Sequence, residues 1–398
     1  MSIYEKLDKY ISNIDIIYLS RHSFIHSFIH SMTNEFDETT CQFVSSRGLL
    51  KSCDVRAKKP LSSCPTNLEY IEEFIKSQVP PSSSSASPQP QPQPQPPSPP
   101  VSIYVCGDAF QTFISKYVPM IQIPFVVVSG DGDKIMFRET VPSGQNIFVM
   151  FILYANMRGL YSQNMDIREC RAFLTEKITK LWAANAKIFK TENAPKTLEE
   201  AITGALSKLR QIPIGMDYHT ISANPSHRWI SKDVKVTTPF SQEQTLIQDI
   251  RGSLLPFYSR RILIYSNVML CLDRFRDRIS AASDIPRELL YHQKKFIPRF
   301  LTWKNMTQFA FVLSPFGNGL DCHRTWEALL CGCIPIVRST VFKELFEGLP
   351  VLIVDKWKDV TLTLLQQTLH EFKLKHDNNE FRYEKLTLEY YTNWWKPT

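Results

Sequence analysis

Hydrophobic positions along this chain gather into short, wholly apolar runs separated by longer stretches with a helical period. The clearest case lies between 309 and 337. Residues 309–313 (Phe-Ala-Phe-Val-Leu) and 334–337 (Ile-Pro-Ile-Val) contain no polar position and read as strands buried on both faces. Between them a glycine-bearing turn, 314–320, leads into a helix over about 321–331 that Gly332 ends. Trp326, Leu329 and Leu330 mark the packed face of that helix, and Asp321 is its expected N-cap. The segment is one strand–turn–helix–strand unit of an open α/β sheet.

The same rhythm extends on both sides. Strands are expected over 41–45, 102–106, 124–129, 145–154, 187–190, 210–214, 261–266 and 350–354. Helices are expected over 67–76 behind a Thr66/Glu69 capping box, 109–117, 167–184 behind Asp166/Glu169, after the Thr197/Glu200 pair, 241–254, 341–346 and from about 360. Residues 1–35 read as two helices, and the aromatic-rich end from Asn378 as another. The alternation predicts mostly parallel sheets with helices on both faces. Residues 80–100 break it. They are Ser-rich, then Pro-Gln alternating, and cannot bury a core, so they read as a disordered insertion looping out of one N-terminal domain.

With 398 residues, 43% of them hydrophobic, the chain can build two cores. A formal charge of +7 suits anionic ligands without amounting to a nucleic-acid signature. Nine cysteines without disulfide-rich spacing argue for a reducing compartment. No apolar run reaches the ~18 residues of a membrane span, and the N-terminus lacks a signal-peptide pattern. The expectation is a soluble, cytoplasmic protein.

Chemistry concentrates where strands end. In the 314–320 turn, Gly317 and Gly319 leave room for a ligand to approach backbone N–H groups, and a helix start favours anions. His323 and Arg324 add donors there, with Glu327 one turn further on. The plainer reading is a tight βαβ turn. Asn267 sits at the carboxyl end of the 261–266 strand, and the following helix carries Arg274, Arg276 and Arg278, of which one or two can face a diphosphate. Asp131 and Asp133 follow a buried strand as Asp-Gly-Asp, which fits a metal-binding Asp-x-Asp, an acceptor-facing carboxylate or a plain turn. Asp217 and His219 follow another strand and offer a general base, or else a capped turn. His22, His26 and His30 share one helix face with metal-ligand spacing, but a partly exposed His edge beside a Phe/Ile core stripe is the better account of them, since short motifs match easily by chance. Cys331 and Cys333 read as core filling.

Ser314-Pro315, Gly317-Asn318-Gly319, Arg324, Glu327-Ala328-Leu329 and Gly332-Cys333-Ile334-Pro335-Ile336-Val337 together resemble the nucleotide-sugar-binding segment of exostosin-like glycosyltransferases. A looser likeness covers 212–219 and 261–358. The resemblance implies a GT-B fold: two Rossmann-like domains facing a cleft, an acceptor-side domain over 1–240, a donor domain over 241–375, and 376–398 packing back on the first. It implies transfer of a sugar from a nucleotide-diphosphate sugar to a hydroxyl of a glycan or glycoprotein, with inversion and without a metal. Ser314, Gly317, Asn318, Gly319, His323, Arg324, Arg278 and Asn267 would surround the donor, Glu327 would hold its ribose, and Asp217, His219 or Asp131 would serve as base. A metal-dependent enzyme using Asp131 and Asp133, and a non-catalytic sugar-binding protein, are the alternatives. Neither a nucleic-acid partner nor a membrane span is expected.

Overall fold

The computed structural model describes residues 37–57, 66–78, 99–141, 145–184, 187–189, 194–224, 226–230, 236–270 and 274–396. The histidine repeat at 22–30 and nearly all of the Pro-rich stretch lie outside them. The chain forms two compact units. One comprises Ser52–Ile212 with the residues from Thr392 on, and the other the residues up to Lys51 with Pro213–Tyr391.

The first unit holds a four-stranded sheet of β1 (Val101–Cys106), β2 (Phe125–Gly130), β3 (Met157–Ser162) and β4 (Leu209–Gln211), in that order and all parallel. Every residue of β2 is buried, and its apolar run Phe125–Val128 accounts for the first four. Helix Gln145–Leu153 connects β2 to β3, and helices Ile167–Ala183 and Leu198–Ser207 connect β3 to β4. Both expected caps form: Asp166 accepts the Glu169 N–H at 2.9 Å and Thr197 accepts that of Glu200 at 3.1 Å. The chain's last residues complete this unit. Trp395 is buried with its ring 5.2 Å from that of Tyr161, and Lys396 pairs with Asp54 at 3.0 Å.

The second unit holds β5 (Arg261–Ser266), β6 (Leu290–His292), β7 (Phe309–Leu313), β8 (Ile334–Arg338) and β9 (Leu352–Val354), all parallel in the order β6-β5-β7-β8-β9. Relabelled from the first strand, that order is 2-1-3-4-5, a doubly wound arrangement. The chain reverses the side on which it adds strands between β5 and β7, the position at which open α/β sheets form their binding crevice beyond the carboxyl ends of the strands. Ile264, Phe311, Ile334, Ile336 and Trp357 fill the core against the sheet. Helix His323–Leu330 ends in two bonds, Gly332 N–H to Leu329 O and Cys333 N–H to Ala328 O, with Gly332 at φ 64°. Glycine takes this left-handed position at no steric cost, which lets the chain turn straight into β8.

Several elements differ from expectation. Residues 145–153 are helical: a run apolar on every side carries no period, and the parallel pairing of β2 with β3 needs a crossover there. The strand is the more polar Met157–Ser162. Lys187–Phe189 is a 3-10 turn instead of a strand. Only Phe43 and Ser45 of 41–45 make isolated bridges, to Thr387 and to Gly215 and Met216. Helix Glu69–Ser77 starts after Leu68, and Asn67, not Thr66, accepts the Glu69 N–H. After helix Leu362–Asp377 the tail is a 3-10 turn and one short helix. The segment 213–240 groups with the second sheet rather than ending the first domain, as do the described residues up to Lys51. Cys41, Cys53, Cys170, Cys322, Cys331 and Cys333 are free thiols. No helix among the described residues is long and apolar enough to cross a membrane.

Candidate functional site

The loops after β5 and β7 flank the crevice where the strand order reverses, and the donor-segment residues lie there. Asn267 follows β5, and its side-chain oxygen accepts a hydrogen bond from Arg324 Nε at 3.0 Å. Arg278, on helix Asp277–Asp284, donates to Phe316 O at 3.1 Å and Met269 O at 3.0 Å, fastening the two loops together. Arg274 donates to Asn318 O at 3.2 Å. Arg276 is the N-cap of that helix and Arg274 precedes it, so the scatter expected of three helical arginines does not arise. Gly317 is glycine for a local reason: a Cβ there would stand 2.8 Å from the Arg278 guanidinium. Ser314 points inward and shares a 2.7 Å hydrogen bond with Thr325.

Some of the amides in and beside the turn are spent. Phe316 N–H donates to Asp277, Gly317 N–H to Gly319 O and Cys322 N–H to Asp321. Burial, then the neighbouring charge of Arg278, lowers the pKa of Arg324. Two cations held together in a partly buried crevice are stabilised by an anion bound between them.

Asp321 is not the helix cap. The N-cap is Cys322, without a side-chain bond, and the Asp321 carboxylate is buried. It accepts the Ile214 N–H at 2.8 Å and the Trp326 indole N–H at 3.0 Å. Burial raises its pKa to about 6 against these donors. Its role is to tie the 213–219 loop to the start of helix His323–Leu330. Gly215 completes the junction at φ 65°, where a Cβ would meet Val44 O at 2.3 Å.

That junction brings together three predicted residues, Asp217, His219 and His323, which offer ligand atoms within 4.8 Å of one another. Asp217 is buried, with Oδ2 held by Arg299 at 2.7 Å and Oδ1 accepting the Thr220 N–H at 3.0 Å. Burial would raise its pKa, but Arg299, then His219 and His323, outweigh it and hold the carboxyl well below the usual range. Burial lowers His219 to about 4, so its ring is neutral at pH 7. The Arg299 guanidinium also lies 3.8 Å from Glu327 and 4.4 Å from the centre of the Trp229 ring. It thus joins the expected base to the expected ribose ligand.

Asp131 and Asp133 belong to the first unit. Asp131 takes φ 61° at the end of β2, and Gln163 accepts its N–H at 3.0 Å. A small depression at the carboxyl ends of β1, β2 and β3 is lined by Ser129, Gly130, Gly132 and Gln163, but not by Asp131 or Asp133.

Sequence reasoning missed Arg299 altogether. It starts a short helix, Arg299–Met306, with no motif around it, and its partner Asp217 is 82 positions away. Trp229 had no signal either, whereas Asp277 stood beside the noted Arg276 and Arg278. No known protein family matches the chain, and no curated protein sequence is significantly similar to it.

Proposed function

We propose that the protein is a glycosyltransferase that binds a nucleotide-diphosphate sugar in the crevice between the β5 and β7 loops. The observation that carries this reading is the pair Arg278 and Arg324 at the strand-order reversal, Arg324 bonded to Asn267 after β5 and Arg278 to Phe316 after β7. The reaction class comes from the exostosin-like pattern of residues 314–337, and two parallel sheets are compatible with a GT-B chain. Arg324 and Arg278 take the diphosphate and stabilise its charge as it leaves. Glu327 takes the ribose hydroxyls. Of the three candidate bases, His219 is favoured for removing the proton of an acceptor hydroxyl, because it is neutral and Asp217 is occupied by Arg299.

Thermal shift against a panel of uridine and guanosine diphosphate sugars tests donor binding. At least one donor is expected to raise the melting temperature, and Glu327→Ala to weaken that donor about tenfold or more. His219→Ala should abolish transfer with donor affinity nearly intact, read by donor turnover. No shift with any donor would sink the reading.

The locked Asp217–Arg299 pair favours a second reading, a sugar-nucleotide-binding protein without transfer. It predicts the thermal shift with neither transfer nor donor hydrolysis.

A further inference from the structure

We propose that Asp217, His219 and His323 form a binding site for a divalent transition-metal ion of the zinc class. The three side chains come from two segments, the 215–219 loop and the first turn of helix His323–Leu330, and their ligand atoms lie within 4.8 Å of one another. Asp321 and Gly215 hold those segments together, so the cluster is built by the fold and not by chance surface proximity.

The hydrogen bonding around each group suits a ligand. His323 Nδ1 lies 2.7 Å from Gly215 O; a carbonyl only accepts, so the proton is on Nδ1 and the Nε2 lone pair is left to offer. Arg299 and the Thr220 N–H fix the Asp217 carboxylate from outside, Arg299 on Oδ2, which presents Oδ1 towards His219. His219 Nδ1 is enclosed and makes no hydrogen bond, although it lies 3.3 Å from Asp217 Oδ1. Two ligands on one tetrahedral ion, each about 2.0 Å from it, stand about 3.3 Å apart. The Asp217–His219 pair stands at that spacing, and the set as a whole, spread over up to 4.8 Å, closes on an ion by side-chain rotation.

Two imidazoles and one carboxylate suit zinc, cobalt or iron better than the hard ions calcium and magnesium, which take oxygen ligands. The site differs from the Asp131/Asp133 alternative in unit and in chemistry; it meets the transferase reading at His219 alone, because a ring bound to metal through Nδ1 keeps its proton on Nε2 and is no base, so the base assignment belongs to the metal-free protein.

The test reads binding, not turnover. Full-length protein, stripped with a chelator and dialysed, is titrated with Co2+ while its visible d–d absorption is followed, and Zn2+ is then added. The expected result is saturation at one equivalent, with the band displaced by Zn2+. His219→Ala and His323→Ala should each weaken Co2+ binding about tenfold or more. Asp131→Asn, Asp133→Asn and His26→Ala should leave it unchanged. If a histidine variant fails to fold, imidazole 15N resonances of the wild-type protein replace it, and Zn2+ should move those of His219 and His323. The proposal is overturned by the absence of both signals in folded wild-type protein. It is equally overturned by binding that survives His219→Ala and His323→Ala, or that is lost instead with Asp131, Asp133 or His26.

Discussion

Arg299 is the residue on which the second unit's polar interior turns. It holds a buried carboxylate on one side and approaches Glu327 on the other. Removing one partner of a buried pair strands the other charge, so Arg299→Ala is expected to destabilise by about 3–5 kcal/mol. The double variant Asp217→Asn/Arg299→Met should recover a large part of that loss, as measured by urea unfolding; equal loss in both would mean that the pair is not what Arg299 supports. Glu38 gives a pH test. Burial raises its pKa from 4.5 to about 7, against Lys51 and a 2.7 Å bond from Ser45. The folded state then binds a proton that the unfolded state has lost, so this stability is complete below pH 4.5 and disappears as pH rises through about 7. Glu38→Gln should flatten the stability decline between about pH 5 and about pH 8, by roughly 3 kcal/mol at its upper end. Urea midpoints with the same slope as wild type would disprove the assignment. Neither role was legible in the sequence, because a charge reveals its partner only when the fold supplies one.

Among elements, those with a capping residue or a glycine stop were legible, since their signals lie within a turn of the backbone they control. Helices Ile167–Ala183 and Leu198–Ser207 begin at their expected caps, and helix His323–Leu330 ends at Gly332. The 145–153 run was not legible, because uniform apolarity satisfies strand and helix alike. The 213–219 loop was legible as a loop carrying candidate bases, but its ties to helix His323–Leu330 and to Arg299 were not. Gly215→Ala tests how much depends on it. A left-handed φ and a Cβ at 2.3 Å from Val44 O leave no relaxed alternative, and a loss of about 2–4 kcal/mol is expected. Gly332→Ala, at φ 64°, should cost about 1 kcal/mol from the left-handed backbone. Equal urea midpoints for the two variants would show that the Val44 contact is not limiting.

At the scale of the molecule, each unit is assembled from distant pieces of chain, and the last residues matter to the first sheet. Ending the chain after Tyr391 removes buried Trp395 and the Lys396–Asp54 pair. The expected loss is about 3–5 kcal/mol, seen as faster hydrogen exchange in β1 and β3 but not in β7 and β8. Uniform acceleration in both sheets would contradict this. The sequence by itself determined the α/β class, seven of the nine strands of the described residues, the main caps and the strand–turn–helix–strand unit of 309–337, because periodicity and capping are properties of neighbouring residues. Only the tertiary structure decided the strand order that makes the crevice, the grouping of 213–240 with the second sheet, and the meeting of Asp217, His219, His323 and Arg299. Those depend on which strands pair and which charges are buried together, and such choices are made between residues far apart in the chain, where local pattern carries no information.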